Sequence, residues 1–178
     1  MNDYYENELK ILDVDVVGVC EKLEYAGAKK VYDGLRTISV LDKNGELLAE
    51  DKLLRVTEEE SVKVSLHINN SRVANKQVIK YKVSRVKEVL DLFKGLGYAR
   101  VAEARARRIS YEWEGVDFDI DIFEVVPAFL EIDIGDGSEK NLAEIMNLLG
   151  LKERDAVQMG TEEIFAHYGK DYFEEFKV

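Results

Sequence analysis

The 178-residue chain carries 36 acidic against 25 basic side chains, and this net charge of -11 argues against nucleic-acid binding, because duplex binders present basic surfaces. Its length suits one domain over residues 1–178. No apolar run approaches the roughly 20 residues of a membrane span, and no secretory segment is evident. We therefore expect a cytoplasmic protein that does not bind membranes.

The first predicted element is a strand over residues 5–11, YENELKI, in which charged and other side chains alternate. In an extended chain Glu6, Glu8 and Lys10 share one face. Such a face lies in water when the strand is at the edge of a sheet. It can instead join a polar interior that several strands share, and this strand alone does not distinguish the two arrangements.

Three amphipathic helices are predicted from apolar residues at i, i+3, i+4 and i+7. They lie between Asp13 and Gly27, between Ser84 and Gly97, and between Ser138 and Gly150. The single cysteine, Cys20, falls on the apolar face of the first helix and is expected in the core. A shift of 70 residues superposes the first two helices and the strands before them. This match suggests a strand-helix-strand unit used twice, with chance as the alternative.

Most of the remaining chain is rich in Val, Ile, Tyr and Phe and is predicted as strand, with Asn44-Gly45 as a hairpin turn. The final segment, residues 161–176, predicts one or two helices that pack on the barrel or on a partner. Many consecutive strands with few breakers indicate an α+β fold built on one large antiparallel sheet, curled or closed.

Charged residues alternate with aliphatic ones along most of these strands. The helices need apolar surface beneath them, so the charged faces must turn to solvent or into the lumen of a barrel. A lumen that holds both acids and bases suits a metal-chelated polyphosphate, since carboxylates bind Mg²⁺ and Arg or Lys binds phosphate. The alternating residues are Asp117, Asp119, Asp121, Glu131 and Asp133 among the acids and Lys63, His67, Lys80, Lys82, Arg105 and Arg107 among the bases.

The segment ENELK, residues 6–10, resembles the ExExK signature of the CYTH superfamily, which contains class IV adenylate cyclases, thiamine triphosphatases and inorganic triphosphatases. The resemblance continues through LLRV with Arg55 and through EARARR, residues 103–108. It ends in DIFEVVPAFLEID, residues 121–133, where the spacing of the acids and of Phe129 is similar to that of the family.

This resemblance implies a triphosphate tunnel, a closed antiparallel barrel of about eight strands with helices packed outside. It implies Mg²⁺ or Mn²⁺ as cofactor and a small-molecule triphosphate as ligand: ATP, thiamine triphosphate or inorganic triphosphate. A homodimer is left open. The implied catalytic residues are Glu6, Glu8 and Lys10. The implied metal ligands are Glu6, Glu8, Asp121, Glu131 and Asp133, and the implied phosphate-binding residues are Lys10, Arg55, Lys63, Lys80, Lys82, Arg105 and Arg107.

Hydrolysis is favoured over cyclisation to cyclic AMP, because no nucleoside pocket is evident in the sequence. The chain also departs from the family, with His67 in place of a lysine and with Lys80 and Lys82 where glutamates are expected. Binding without turnover is therefore a third candidate function. Arg105 and Arg107 could also form a structural network with Asp119 and Asp121, or belong to a small basic patch for RNA.

Overall fold

The computed structural model describes residues 4–5, 8–70, 77–134 and 141–178, so Glu6 and Ser138 lie outside the described residues. None of the described helices is long and apolar enough to cross a membrane. The described strands are β1 Tyr4–Tyr5, β2 Glu8–Ile11, β3 Lys29–Asp42, β4 Lys52–Glu58, β5 Val62–Ile68, β6 Gln77–Val83, β7 Ala99–Trp113, β8 Val116–Ile122, β9 Phe129–Ile134 and β10 Ala156–Val157. The described helices are α1 Val16–Tyr25, α2 Glu46–Ala49, α3 Val86–Gly95, α4 Leu142–Leu149, α5 Thr161–His167 and α6 Tyr172–Glu175.

The chain divides into two compact units. The first comprises Met1–Glu6, Arg36–Arg105 and Gly160–Val178, and the second comprises Asn7–Leu35 and Ala106–Met159. The long strands β3 and β7 contribute to both units. The single domain that the length predicts stays a prediction.

The first unit contains a sheet whose apolar face packs against α3 and against Leu47 of α2. Its strands are ordered β1-β6-β5-β4-β3-β7. The alternation along β4 and β5 places Leu54, Val56 and Val64 on one face, where they pack against α3. The opposite face of these two strands carries Arg55 and the polar residues of β5.

The second unit is a sheet covered by two helices. Its strands are ordered β3-β7-β8-β9-β2-β10. The aliphatic faces of β7, β8 and β9 pack against Leu23 of α1 and Met146 of α4 in one buried core. The two helices are also joined directly, because the Lys22 ammonium donates a hydrogen bond of 2.5 Å to the carbonyl of Leu149. The charged faces of β8 and β9 turn away from this core.

The predicted helices are confirmed, and so is the strand-helix-strand unit used twice. Helices α1 and α3 each have ten residues and begin 70 residues apart. Each is followed by a glycine in the left-handed region, Gly27 with φ +83° and Gly97 with φ +87°. The third helix begins after Asn141, whose side chain accepts a hydrogen bond from the Glu144 amide in a capping box.

The predicted turn at Asn44-Gly45 forms, and both residues have positive φ. Helix α2 nevertheless separates this turn from β4, so the hairpin connection is longer than two residues. The buried Asp42 carboxylate explains the helix, because it accepts hydrogen bonds from the amides of Lys43, Leu47 and Leu48.

The C-terminal segment forms α5 and α6 and packs on the chain's own sheet in the first unit. The Glu103 amide of β7 donates a hydrogen bond of 2.8 Å to the carbonyl of Phe176. The rings of Phe165, Tyr172 and Phe176 contact one another edge to face. The predicted helices form, and of the two packing alternatives left open the structure shows the segment on the chain's own strands.

An α+β fold with antiparallel strand pairing is observed, but the predicted closed barrel is not shown. In the part of the chain that the structure describes, hydrogen bonding ends at β1 in the first unit and at β10 in the second. Strands β1 and β2 are neighbours in sequence, yet β1 pairs with β6 while β2 pairs with β9 and β10. Among the described residues, β1 and β10 are therefore the two edge strands.

Candidate functional site

The acidic face of the second unit is built by the register of four antiparallel strands. Glu131 lies opposite Lys10 on one side and opposite Asp119 on the other. Asp133 is placed in the same way between Glu8 and Asp117. The predicted sharing of one face by the acids of β8 and β9 is therefore confirmed. We call Glu8, Asp119, Asp121, Glu131 and Asp133 the acidic cluster.

Arg108 of β7 lies in the middle of this cluster. Its guanidinium donates to both carboxylate oxygens of Asp121, at 2.7 and 2.5 Å, and to Glu131 at 2.6 Å. A further nitrogen donates to Asp119. The Arg108 side chain is 7% exposed, and that of Asp121 is 1% exposed. Such a network is buried and highly charged, and it fixes the orientation of three carboxylates at once.

Lys10 is a second buried cation of the acidic cluster. Its ammonium lies 3.0 Å from Glu8 and 3.5 Å from Glu131. Burial by itself would lower the pKa of Lys10, but the charges of Glu131 and Glu8 outweigh it and raise that pKa. The same balance raises the pKa of Arg108 well above its ordinary value, since Asp121, Glu131 and Asp119 outweigh burial. Both side chains are therefore positively charged.

The outer part of the face is a row of four carboxylates, Glu112, Asp117, Asp133 and Glu8, on four neighbouring strands. Burial raises the pKa of the Asp117 carboxyl, and the charges of Glu112 and Asp119 raise it further. Repulsion of this kind is relieved when a proton or a cation binds. A cation bound beside Asp117 would therefore relieve this repulsion.

The predicted placement of Arg105 and Arg107 on the charged face of β7 is wrong. Arg107 lies opposite Ile122, on the side of the aliphatic core, and pairs with the exposed Asp33 through two bonds of 2.9 and 3.0 Å. Arg105 is exposed and pairs with Glu103. The charged face of β7 therefore begins one residue later than predicted. Arg108, and not Arg105 or Arg107, lies on the face of the acids.

A signal for Arg108 is present in the sequence. Glu114 and Gly115 form a two-residue turn with positive φ at both positions, so Trp113 pairs with Val116. Counting back from this turn places Arg108 opposite Asp121. An Asn-Gly or Asp-Gly turn is readily recognised, whereas Glu-Gly is a weaker hairpin signal.

The basic strip is a separate set of side chains on one face of β4, β5 and β6 in the first unit. We define it as Arg55, Lys63, Lys80 and Lys82. Lys63 lies opposite Lys82, and Lys80 lies opposite Ser65. The predicted sharing of one face by these lysines is confirmed. Lys63 also pairs with Glu59, whereas Lys80 and Lys82 are exposed.

His67 joins the basic strip through Arg55. The guanidinium nitrogens Nε and Nη2 of Arg55 lie 3.1 and 2.5 Å from Nε2 of the imidazole. The hydroxyl of Ser65 lies 3.0 Å from the same nitrogen. His67 is 1% exposed, so this contact is sheltered from water.

The acidic cluster has the donors that Mg²⁺ or Mn²⁺ prefers, because carboxylate oxygens are hard ligands. Glu8 and Asp133 face each other across β2 and β9, beside the carboxylate of Glu131. Within residues 8–70, 77–134 and 141–178, however, no three acidic, histidine or cysteine side chains are gathered into a ready-made metal group. The chemistry of the side chains fits a divalent ion, and Glu6, the further predicted ligand, lies outside the described residues.

Comparison with known proteins identifies the architecture. Residues 40–161 match the sequence model of the CYTH domain. A candidate adenylate cyclase from Vibrio parahaemolyticus superposes with a TM-score of 0.77 at 14% identity, covering 93% of this chain and 99% of that one. A protein from Pyrococcus horikoshii OT3 gives 0.68 at 22% identity, with coverage of 97% and 99%.

A third similar structure is a candidate adenylyl cyclase from Hippeastrum with a dominant triphosphatase activity. Its TM-score is 0.61 at 14% identity, covering 92% of this chain and 95% of that one. Among curated proteins no sequence matches the chain. At these identities the solved structures establish a shared fold.

Proposed function

Because the chain belongs to the CYTH domain family, we propose that it binds a small-molecule triphosphate and hydrolyses it with the help of a divalent metal ion. The observation that carries this proposal is the acidic cluster, in which carboxylates of three strands surround two buried cations. Acids and bases on one face match the mixed charge of a metal-chelated triphosphate.

Glu8, Glu131 and Asp133 are the carboxylates that would hold Mg²⁺ or Mn²⁺, together with Glu6. Asp121 has a different role in this proposal, since both of its carboxylate oxygens accept hydrogen bonds from Arg108. A bound divalent ion neutralises phosphate charge and orients the attacking water.

The chain's own cations would bind the phosphate oxygens. Lys10 keeps its positive charge, because Glu131 and Glu8 raise its pKa, and it is held in place between them. In the first unit the basic strip presents cations of its own, and the guanidinium of Arg55 can donate to a phosphate oxygen. Arg105 and Arg107 lie on the other side of their strand and are left out of the proposed site.

Binding without turnover is the second candidate function. It is favoured by Lys80 and Lys82, which place ammonium groups on strand β6 where carboxylates would otherwise supply metal ligands.

The test is a release assay for phosphate and pyrophosphate on the purified protein. Tripolyphosphate, thiamine triphosphate and ATP are each offered with Mg²⁺ or Mn²⁺, and cyclic AMP is followed in parallel. We expect phosphate release that needs the metal and is abolished by Glu8→Gln. Glu88→Gln, on the exposed side of α3, is the matched control and should leave the rate unchanged.

Release of pyrophosphate together with cyclic AMP would replace hydrolysis by cyclisation. Unchanged release by Glu8→Gln would overturn the proposed metal site. Tripolyphosphate binding without turnover of any substrate would establish the second candidate.

A further inference from the structure

The contact between Arg55 and His67 defines the protonation state of the imidazole. A guanidinium has only N–H donors, so the ring nitrogen that it contacts must be an acceptor. Two nitrogens of Arg55 converge on Nε2 of His67, at 3.1 and 2.5 Å, and Nη2 also lies 3.3 Å from Nδ1. The Ser65 hydroxyl, which can donate, approaches the same atom. Because the shorter guanidinium contacts fall on Nε2, the geometry favours a neutral imidazole that accepts at Nε2 and carries its proton on Nδ1.

Every charged side chain that β4, β5 and β6 place on this face, within their described residues, is a cation. Arg55 is on β4, Lys63 is on the same strand as His67, and Lys80 and Lys82 are on β6. Glu59, which follows β4, contacts Lys63. On the adjacent β3, Asp42 has the same parity as Val40, which lies opposite Arg55, and its carboxylate accepts hydrogen bonds from the amides of Lys43, Leu47 and Leu48. A proton on Nε2 would place a second positive charge against the Arg55 guanidinium at a position that is 1% exposed. The guanidinium would then have to leave the ring.

We infer that His67 is a positioning residue: its neutral imidazole holds Arg55 for phosphate binding, and protonation of the ring weakens the binding of a triphosphate. This inference rests on the proposed function, because it assumes that Arg55 contacts phosphate. His67 uses Nε and Nη2 of Arg55 and leaves Nη1 to donate to the ligand. A lysine at position 67 could not play this part, since an ammonium cannot accept a hydrogen bond.

The first measurement concerns the contact without any ligand. The ¹⁵N shifts of the His67 ring at about pH 7.5, a pH at which an ordinary imidazole is mostly neutral, distinguish the two neutral tautomers. We expect a proton on Nδ1 and none on Nε2. A ring with its proton on Nε2, or a doubly protonated ring, overturns the inference.

The second measurement is the affinity for inorganic tripolyphosphate by calorimetry at about pH 8 and about pH 5.5, which bracket the ordinary titration of imidazole. The key variant is His67→Gln, whose amide oxygen can accept from Arg55 and does not titrate. The matched control is His167→Gln, because His167 is exposed on α5 and is the only other histidine of the chain.

We expect the dissociation constant of the wild type and of His167→Gln to rise about tenfold more on acidification than that of His67→Gln, the effect of one charge-assisted hydrogen bond. Equal pH dependence in all three proteins overturns the role of His67 and leaves the proposed function intact. Tighter binding of the wild type in acid, relative to His67→Gln, also overturns it, because the imidazolium would then attract phosphate. If the wild type binds no tripolyphosphate at either pH, the proposed function itself fails.

Discussion

Replacing Arg108 by methionine should destabilise the protein severely. The substitution removes four hydrogen bonds to Asp121, Glu131 and Asp119 and keeps a side chain of similar length. Of the three carboxylates, Asp119 is 28% exposed and can be hydrated once the guanidinium is gone. Glu131 keeps its contact with the Lys10 ammonium. Asp121 is 1% exposed and loses the guanidinium that balances its charge.

The cost follows from this burial. Removing one partner of a buried ion pair typically costs about 3–5 kcal/mol, because the remaining charge stays away from water. For a chain of this length each kcal/mol shifts the melting temperature by about 2–4 °C, so we expect a decrease of about 6–20 °C. The pKa of Arg108 is raised well above its ordinary value, so its stabilising effect is fully present wherever the unfolded side chain is still protonated and is lost only at higher pH.

The assay is urea unfolding of three variants at neutral pH, with calorimetry for the melting temperature. Arg107→Met is the matched control, because Arg107 is the preceding residue but is 57% exposed and pairs with Asp33 in water. Its loss of stability should be small, as for an exposed ion pair. Adding Asp121→Asn to Arg108→Met removes the buried charge and should restore part of the lost stability.

Equal stability of Arg108→Met and the wild type would refute the assignment of Arg108 as the cation that balances Asp121. The same conclusion would follow if Arg107→Met were as destabilising as Arg108→Met.

Three further predictions concern the second unit. Burial, and to a smaller extent the interactions with Cys20 and Glu24, raises the pKa of the Tyr111 phenol above 10.0. The free energy of unfolding should therefore fall as the pH rises above that value. In urea unfolding at alkaline pH, Tyr111→Phe should lack this part of the decrease. The hydrogen bonds from Arg107 lower the pKa of the Asp33 carboxyl below 3.8. The stabilisation by this carboxylate is therefore lost as the pH falls through the lowered pKa. A ¹³C titration of Arg107→Met should show the midpoint of Asp33 returning toward 3.8, and an unchanged midpoint would contradict the pairing. Gly150 ends α4 with φ +66°, so Gly150→Ala should cost about 1 kcal/mol in urea unfolding, and no loss would contradict the left-handed cap.

Helices and hairpins can be predicted from the sequence because their signals are local. The 3.6-residue period locates α1 and α3, and the period of two places the acids of β8 and β9 on one face. The predicted start of the third helix, at Ser138, is three residues early, because several polar residues before α4 can cap a helix. The side chain that caps it is that of Asn141.

The face of β7 is not predicted correctly, because polarity does not decide the orientation of a long strand with charges on both sides. Ala102, Ala104 and Ala106 are buried although alanine is only weakly apolar, whereas Arg105 and Arg107 are exposed. The pairing with β8 fixes this orientation. The contact of Arg55 with His67 depends in the same way on the register of β4 and β5, which no local pattern specifies.

The pairing of β2 has a consequence for synthesis of the chain. Strand β2 pairs with β9, where Lys10 lies opposite Glu131. Because β9 is synthesised about 120 residues after β2, β2 stays unpaired with it for roughly 6–24 s at 5–20 residues per second. During that time its hydrogen-bonding groups are exposed to other nascent chains. Alternating charges on a strand discourage such pairing. The charges of Glu8 and Lys10 would therefore disfavour such pairing before both residues reach their positions in the folded protein.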